Sequence, residues 1–343
     1  MVETSLHISV AWQDSAQRIL NEDWRRILIL GATDRGKSSY CRFLVNAFLR
    51  EGRTVSFVDA DIGQKDVGPP ATVTLADFHA PADFASAACT HMPAGIHMSA
   101  CAGIYFVGHV SPFAHFLSVV VGTRQMVETA KGEFVVIDTA GLVQGRGRQL
   151  AGFQIESLRP DVLVCLERGD ELAPICHAAR HCNTLRLHSS RSAVRKSPEA
   201  RRRLREEAFR AHFQGAREVE VRLDDVIVQR SSLFNGAGVV DPRFLYAENF
   251  SDGLIAVVGE GVHEASERVR VLPRNFADHL LCGVADDGGR CLGLAICTGI
   301  DFAARSFMLY TPVPKRGIRI VLFGDLYLDR DGHELHLGRR GQF

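Results

Sequence analysis

The chain has 343 residues, enough for two domains of ordinary size, and 46% of them are hydrophobic while 23% are charged. Its 40 basic and 40 acidic side chains balance, so no global field attracts it to nucleic acid or to an anionic membrane, and a polyanion site has to be a local patch. Nine cysteines without a C-x-x-C pair, an N-terminus without a basic and apolar leader, and no apolar run long enough to cross a bilayer favour a cytoplasmic protein.

The first elements lead into a glycine-rich loop. Residues 1–24 form a short lead-in, which we expect to cover the edge of a sheet. The apolar run RRILILGA (25–32) then predicts a buried strand that ends at the loop. A helix follows, because apolar residues recur every three to four positions from Lys37 to Phe48, and Gly52 is expected to end this helix.

Further apolar strands alternate with helical segments, which predicts a parallel sheet covered by helices on both faces. These strands are expected at 54–61, 133–141, 161–168 and 184–190. From about residue 235 the pattern changes to short strands joined by tight turns, among them Asp286-Asp287-Gly288-Gly289 and Asp331-Gly332. The predicted fold class is therefore α/β, with a P-loop NTPase sheet in a domain at 25–234 and a small, mainly β domain at 235–343.

The glycine-rich loop has the sequence GATDRGKSS and fits the pattern G-x-x-x-x-G-K-[ST]. It follows a predicted strand and opens a predicted helix, which is the context that this motif requires, and it predicts ATP binding with Mg²⁺. The backbone of such a loop surrounds phosphates, the lysine reaches the terminal phosphates and the hydroxyl ligates magnesium. The predicted nucleotide-binding residues are Gly31, Ala32, Thr33, Asp34, Arg35, Gly36, Lys37, Ser38 and Ser39.

Carboxylates follow two of the other predicted strands. Asp138 in VVIDTAG ends an apolar strand about a hundred residues after the loop, as a Walker B aspartate does, although an aspartate here is also able to cap a helix. Asp59 and Asp61 in DADIGQ lie just past another strand, with Gln64 close behind. We expect Ser38, Asp59 and Asp138 to form the metal site, with a solvated polar loop as the alternative for the two aspartates of DADIGQ.

An arginine-rich segment at 191–215 is predicted to be a lid. Ser197 is a natural N-cap followed by Pro198 at the first helical position. Eight basic and three acidic side chains lie between Arg191 and Arg210 in a chain with no net charge. A solvated helix face explains such a run, and so does a lid whose arginines reach a transferring phosphoryl group.

Five segments occur in an order that resembles the polynucleotide 5′-hydroxyl kinases, whose members include the kinase subunit of the eukaryotic pre-mRNA cleavage complex and the kinase of pre-ribosomal RNA processing. These segments are GATDRGKSS, VDADIGQKDVGPP, YFVGHVSPFAH, VIDTAGLVQG and the arginine-rich helix that ends in FRAHFQG. The resemblance covers about residues 26 to 215. It implies transfer of the γ-phosphate of ATP to the 5′-hydroxyl end of RNA, or of DNA.

The resemblance also implies roles for single residues. Asp61 would be the general base that activates the 5′-hydroxyl, Lys37 and Ser38 would bind the ATP phosphates and magnesium, and Gln64 would help to place the reacting groups. The segment GHVSP would be a clasp on the terminal nucleotide of the substrate, and its binding residues would be Gly108, His109, Ser111 and Pro112. The lid arginines would be Arg201, Arg205 and Arg210.

One position departs from the family pattern. Leu142 stands where the messenger-processing members carry a tryptophan on which a base stacks, so we expect Leu142 to give an apolar contact without stacking. Two rival functions remain open at this stage: an ATP-binding scaffold of an RNA-processing complex that catalyses nothing, and a kinase or ATPase that acts on small molecules. Neither switch-type GTPases nor partitioning ATPases fit, because no N-K-x-D motif and no additional loop lysine occur.

Overall fold

The computed structural model describes residues 9–80, 101–189, 195–259 and 268–336. It contains two compact units, Met1–Ala208 and Phe209–Phe343. Its helices are α1 (Val10–Asn21), α2 (Lys37–Arg50), α3 (Phe116–Thr129), α4 (Gly147–Leu158), α5 (Ala173–Ala178) and α6 (Pro198–His212). Within the described ranges, we find no helix that is long and apolar enough to cross a membrane.

The first unit is built on a seven-stranded sheet in the order β4-β3-β2-β5-β1-β6-β7. Its strands are β1 (Arg26–Gly31), β2 (Val55–Ala60), β3 (Thr72–Phe78), β4 (Gly103–Phe106), β5 (Phe134–Thr139), β6 (Val162–Glu167) and β7 (Asn183–His188). The five strands from β2 to β7 in this order pair in parallel, as predicted. Strands β3 and β4 extend the sheet antiparallel beyond β2, and neither strand was among those predicted from the sequence.

Alternate residues of the central strands enter two different hydrophobic cores. Ile27 and Ile29 of β1 pack with α1 and α2, whereas Leu28 and Leu30 pack with α3, α4 and α5. Successive side chains of a strand point to opposite faces of the sheet, so both faces are buried. This confirms the predicted α/β fold with helices on both faces of the sheet.

Helix α1 gives the N-terminal lead-in its structure. Ser9 caps this helix, and Trp12 packs edge-on against Tyr40 of α2 with ring centroids 5.1 Å apart. The buried Ser15 hydroxyl bonds to the Tyr40 hydroxyl at 2.8 Å. Helix α1 therefore covers one face of the sheet near its β7 edge, where Leu185 belongs to the same core.

The second unit consists of two β-sheets, which agrees with the predicted mainly β character. One sheet has the order β10-β11-β12-β13, the other has the order β18-β17-β14-β15-β16-β8, and β9 pairs with β17. The strands are β8 (Arg217–Arg222), β9 (Ile227–Gln229), β10 (Ala237–Gly238), β11 (Tyr246–Phe250), β12 (Gly253–Val258), β13 (Val269–Pro273), β14 (Leu280–Ala285), β15 (Cys291–Asp301), β16 (Ser306–Thr311), β17 (Ile320–Leu328) and β18 (Glu334–Leu335). Both aspartate–glycine turns join antiparallel strands, as predicted.

The boundary between the units lies earlier in the chain than the expected position after residue 234. The segment from residue 209 to 234 belongs to the second unit because β8 forms an antiparallel ladder with β16 and β9 pairs with β17. These partners are about 90 residues away along the chain. A sequence pattern that is read locally does not identify them.

Helix α6 ends in the second unit at a buried histidine. The His212 ring accepts a hydrogen bond through Nε2 from the Leu294 backbone N–H at 3.1 Å, and its Nδ1 is buried with no partner in the described structure. Burial lowers the pKa of His212 to about 4. The imidazole is therefore neutral in the folded chain at pH 7.

Because His212 accepts a proton more readily in the unfolded chain, acid should destabilise the fold through this group. The contribution of His212 to the free energy of unfolding is complete above about pH 6.5 and declines as the pH falls towards 4. At pH 5 the free energy of unfolding is lower by roughly 2 kcal/mol. His212→Gln should flatten this part of the profile, because glutamine does not titrate. Urea unfolding of both proteins at pH 7.5 and pH 5 measures the difference, and equal pH dependence would contradict it.

Candidate active site

The glycine-rich loop joins β1 to α2 in a conformation that its glycines permit. Gly36 has φ of +85°, which places it in the left-handed region just before the first helical residue, Lys37. A Cβ on Gly31 would lie 2.7 Å from the backbone oxygen of Leu166 on the neighbouring strand β6, so only glycine fits there. This strand–loop–helix arrangement is the context that the sequence motif predicted.

Three side chains meet at the start of α2. The Ser38 hydroxyl donates to Asp138 Oδ2 at 2.7 Å, and the nearly buried Lys37 ammonium donates to the Ala32 carbonyl at 3.3 Å. Burial raises the pKa of Asp138 to about 7, although Lys37 lowers it. Asp138 Oδ1 is buried and has no partner in the described structure. A hydroxyl next to an unpartnered carboxylate oxygen is a donor set that suits Mg²⁺.

Sheet pairing brings the ends of three strands to the same edge. In the registers of β1, β5 and β2, Asp138 lies beside Ile29 on one side and beside Asp59 on the other. Neighbouring strands are about 4.8 Å apart, so the ends of β1 and β2 lie about 10 Å from each other. At the same edge, a Cβ on Gly141 would lie 2.6 Å from the Thr33 backbone, so the loop after β5 packs directly on the glycine-rich loop.

Asp61 follows the end of β2 and closes a tight turn. Its Oδ1 accepts the backbone N–H groups of Gly63 and Gln64, both at 3.0 Å, and these two bonds do not use Oδ2. The Gln64 side-chain amide donates to the Gly63 carbonyl at 2.9 Å and to the Arg201 carbonyl at 3.2 Å. The loop that carries Asp61 therefore contacts the start of helix α6.

Asp59 occupies a different environment from the one expected of a metal ligand. Its carboxylate is almost completely buried, forms an ion pair with the buried Lys65 at 3.0 Å, and accepts the N–H groups of Asp61, Asp66 and Val67. Burial raises the pKa of Asp59 to about 6, although Lys65 lowers it. These bonds engage both oxygens, so Asp59 organises the loop at 61–67, and we correct its expected role as a metal ligand.

The clasp segment lies against the Asp61 loop. A Cβ on Gly63 would lie 2.8 Å from the Val110 carbonyl oxygen, so the two backbones touch. The Ala71 carbonyl accepts the N–H of Gly108 at 3.0 Å, and Gly108 has φ of +92°. His109 Nδ1 accepts the Ser111 N–H at 2.9 Å, and the His109 ring stacks on His115 with centroids 5.2 Å apart.

The remaining candidate substrate residues are Pro112, the last residue of this segment, and Leu142. Pro112 begins a short 3₁₀ helix that leads into α3. Leu142 is half-buried in the loop after β5, and a Cβ on Gly147 would lie 2.6 Å from its Cγ. The Arg146 guanidinium lies 5.3 Å from the centre of the Phe116 ring, which links this loop to the start of α3. Leu142 itself has no aromatic ring on which a base could stack.

The lid arginines separate along helix α6. Ser197 Oγ accepts the Ala200 N–H at 3.2 Å, and Pro198 is the first helical residue, which confirms the predicted start of the helix. Arg201 forms an ion pair with Asp34 of the glycine-rich loop. Arg205 follows four positions later and so shares its face of the helix. Residues 191–194 of the expected lid lie outside the described residues.

Arg210 belongs to the second unit and bonds to other residues of that unit. Nine residues beyond Arg201, it lies on the opposite side of the helix, because nine steps of 100° amount to two and a half turns. Its guanidinium bonds to the Asp331 carbonyl at 3.2 Å and to His333 at 3.3 Å. We therefore correct its expected role as a lid arginine, which helical periodicity alone would have questioned.

The other loop residues have structural partners that the sequence did not reveal. Arg35 pairs with Glu171 after β6 at 2.7 Å, and the exposed Thr33 donates to the Gly141 carbonyl at 3.3 Å. Ser39 lies in the first turn of α2. Burial opposes the charge of Glu171, but Arg35 and nearby backbone N–H groups lower its pKa to about 2. Neither Glu171 nor Lys65 was identified from the sequence. Glu171 lies far along the chain from its partner Arg35, and Lys65 lies in a loop without periodicity.

Fold and site together define a P-loop nucleotide-binding protein. Residues 31–215 match the family described as "mRNA cleavage and polyadenylation factor CLP1 P-loop", and the chain belongs to this family. A polyribonucleotide 5′-hydroxyl-kinase of Pyrococcus furiosus is 31% identical over 332 residues, which cover 90% of this chain and 89% of that protein. One of Pyrococcus abyssi is 33% identical over 91% of this chain and 90% of its own length.

More distant similarities are found in sequence and in fold. The polyribonucleotide 5′-hydroxyl-kinase Clp1 of Xenopus tropicalis is 26% identical over 84% of this chain and 67% of that protein. The solved structure of a wild-type Clp1p–Pcf11p complex superimposes with a TM-score of 0.63 at 13% identity and covers 94% of this chain and 80% of that one. The solved structure therefore supports the fold, and the family assignment rests on the sequence matches.

Loss of Lys65 should leave the Asp59 charge buried without a counter-ion. We expect Lys65→Met to reduce the free energy of unfolding by about 3 kcal/mol, as removal of one partner of a buried ion pair does. Arg53→Met is the control, because the Arg53–Glu133 pair is largely exposed and should cost less than about 1 kcal/mol. Urea denaturation of the variants measures both values, and similar small losses would rule out a structural role for the Asp59–Lys65 pair.

Proposed function

We propose that this protein is an ATP-dependent polynucleotide 5′-hydroxyl kinase that transfers the γ-phosphate of ATP to the 5′-hydroxyl end of RNA. The observation that carries the proposal is the position of the Asp61 loop. On one side Gly63 touches Val110 of the clasp, and on the other Gln64 bonds to Arg201 of the lid. An acceptor that is held by the clasp would therefore lie next to Asp61 and close to the phosphate-binding loop. An ATPase or a scaffold has no acceptor and does not require this arrangement.

The phosphate side of the reaction depends on the glycine-rich loop. The backbone N–H groups of residues 31–38 would bind the phosphates of ATP, and Lys37 would neutralise charge on the oxygens around the transferred group. Ser38 and Asp138 would hold Mg²⁺, which supplies further charge neutralisation to the phosphates. Arg201 would add a guanidinium from the lid side.

The acceptor side depends on Asp61. The two N–H groups of its turn bind Oδ1 and hold the carboxylate in one orientation, so Oδ2 is the oxygen that would accept the proton of the 5′-hydroxyl. Gln64 fixes the same loop to the lid. Gly108, His109, Ser111 and Pro112 would bind the backbone of the terminal nucleotide, and Leu142 would contact its base without stacking. Recognition through the backbone does not depend on sequence, which suits a chain with no net charge.

The relatives support this reading for the reaction and for the substrate class. Proteins about 30% identical over 90% of the chain are named polyribonucleotide 5′-hydroxyl-kinases. The name of these relatives favours RNA over DNA as the acceptor. The rival scaffold function would use the same ATP pocket but would not explain why Asp61 is held in one orientation between the clasp and the lid.

The test is transfer of the γ-phosphate of labelled ATP to a 5′-hydroxyl oligoribonucleotide. Asp61→Asn should lower kcat by about 10²–10⁴-fold, because the general base is lost. Lys37→Ala should lower kcat by at least about 10²-fold, because a charge-neutralising donor is lost. Asp66→Asn is the control on the same loop: Asp66 pairs with Arg42 at 2.6 Å, and the variant should keep kcat within about tenfold.

Two results would overturn the proposal. Unchanged transfer in Asp61→Asn would remove Asp61 as the base. Tight ATP binding without transfer to RNA or DNA oligonucleotides, single-stranded or duplex, would favour the scaffold function instead.

A further inference from the structure

Asp34 is an unusual residue for a loop that binds polyanions. It lies in the middle of the glycine-rich loop with φ of +60°, a left-handed conformation that aspartate tolerates better than most residues. Its side chain is mostly buried, at 14% exposure. A carboxylate in this position repels phosphate oxygens unless a cation neutralises it.

The start of the lid supplies that cation and a second bond. Asp34 pairs with the Arg201 guanidinium, and its Oδ2 also accepts the Lys196 backbone N–H at 3.2 Å. Arg201 is held at its backbone as well, since its carbonyl accepts the Gln64 amide at 3.2 Å. Asp34 thus binds the lid at two points, one a side chain and the other the backbone just before α6.

The next residue of the loop, Arg35, is a cation that pairs with a carboxylate on the other side of the loop. Arg35 pairs with Glu171 at 2.7 Å, and the N–H groups of Arg168 and Gly169 also bond to this carboxylate. Glu171 therefore anchors the loop to the segment after β6. Because the Arg35–Glu171 pair fixes the loop on this side, it also limits the movement of Asp34, which binds the lid.

We propose that Asp34 is a positioning residue that holds the lid helix against the phosphate loop and fixes Arg201 next to the nucleotide. The pair also cancels the charge of Asp34, so the phosphates of ATP approach a loop without a bare carboxylate. The expected effect on transfer rests on the proposed kinase function. The expected effects on lid order and on nucleotide binding do not.

The first test follows the lid without any chemistry. Asp34→Asn keeps the shape of the side chain and its tolerance of the left-handed region while removing the charge. Hydrogen exchange of the backbone amides at 196–201 should become at least tenfold faster in this variant. Glu206→Gln is the matched control, because it removes the Arg202–Glu206 pair at 2.9 Å on the same helix and should leave exchange at 196–201 unchanged. Unchanged exchange in Asp34→Asn would overturn the proposal.

The second test separates positioning from a competing idea, in which Asp34 withholds Arg201 from the nucleotide. If Asp34 positions Arg201, Asp34→Asn should lower kcat at least tenfold while the affinity for a non-hydrolysable ATP analogue changes less than threefold. Adding Asp34→Asn to Arg201→Gln should then cost little more, since both act through one contact. A higher kcat in Asp34→Asn, or losses that simply multiply in the double variant, would overturn the proposal.

A failure of the kinase function would be recognised separately. If the unaltered protein transfers no phosphate to any oligonucleotide, the hydrogen-exchange result still decides whether Asp34 holds the lid. Thermal unfolding of each variant checks that it is folded. An Asp34→Asn protein that keeps its melting temperature but loses lid protection would support a local positioning role.

Discussion

Parallel pairing of β5 between β1 and β2 is the constraint on which the site depends. This pairing lines up Ile29, Asp138 and Asp59 across three strands, so the segments that follow these strands leave the sheet at one edge. A shift of the β5 register by one residue would turn Asp138 to the other face of the sheet and separate it from Ser38. Gly141 then allows the loop after β5 to touch the glycine-rich loop, because a side chain there would collide with Thr33.

Charge at this edge is balanced in pairs, and each pair also joins two segments. Asp59 and Lys65 form a fully buried pair that shapes the loop carrying Asp61. Asp34 and Arg201 join the glycine-rich loop to the lid, and Arg35 and Glu171 join it to the segment after β6. A buried charge without a partner is costly, so these pairs limit the positions that the loops can adopt. Order in the loops around the nucleotide site is thus an electrostatic property as much as a packing property.

Helix α6 shows how a single helix serves two purposes. Arg201 pairs with Asp34 of the glycine-rich loop, whereas Arg210 and the buried His212 form their hydrogen bonds within the second unit. Arg210 lies opposite Arg201, because nine positions amount to two and a half turns, whereas His212 returns to nearly the same side as Arg201, three turns further along the helix. A basic run in a sequence therefore does not by itself identify one basic surface.

Much of the fold and part of the site could be read from the residues alone. Apolar runs and the glycine–lysine–serine motif identified the parallel strands, the phosphate loop and its lysine, because buried strands and phosphate loops require these residue types at fixed local spacing. The same reasoning placed Asp138 at the end of a buried strand and Ser197 at the start of a helix, and both positions are observed. Strands β3 and β4, the early domain boundary and the partners of Arg210 were not foreseen, since each depends on contacts between distant segments.

Asp59 marks the limit most clearly. Asp59 and Asp61 are the same residue type, two positions apart in one motif, and local spacing does not distinguish them. The sequence by itself determined only that carboxylates lie at the end of the second parallel strand. Tertiary structure decided that Asp59 points into the protein and meets Lys65, while Asp61 remains partly exposed at the edge of the sheet. The physical reason is that burial and ion pairing depend on which side chains surround a group in space, and local spacing does not contain that information.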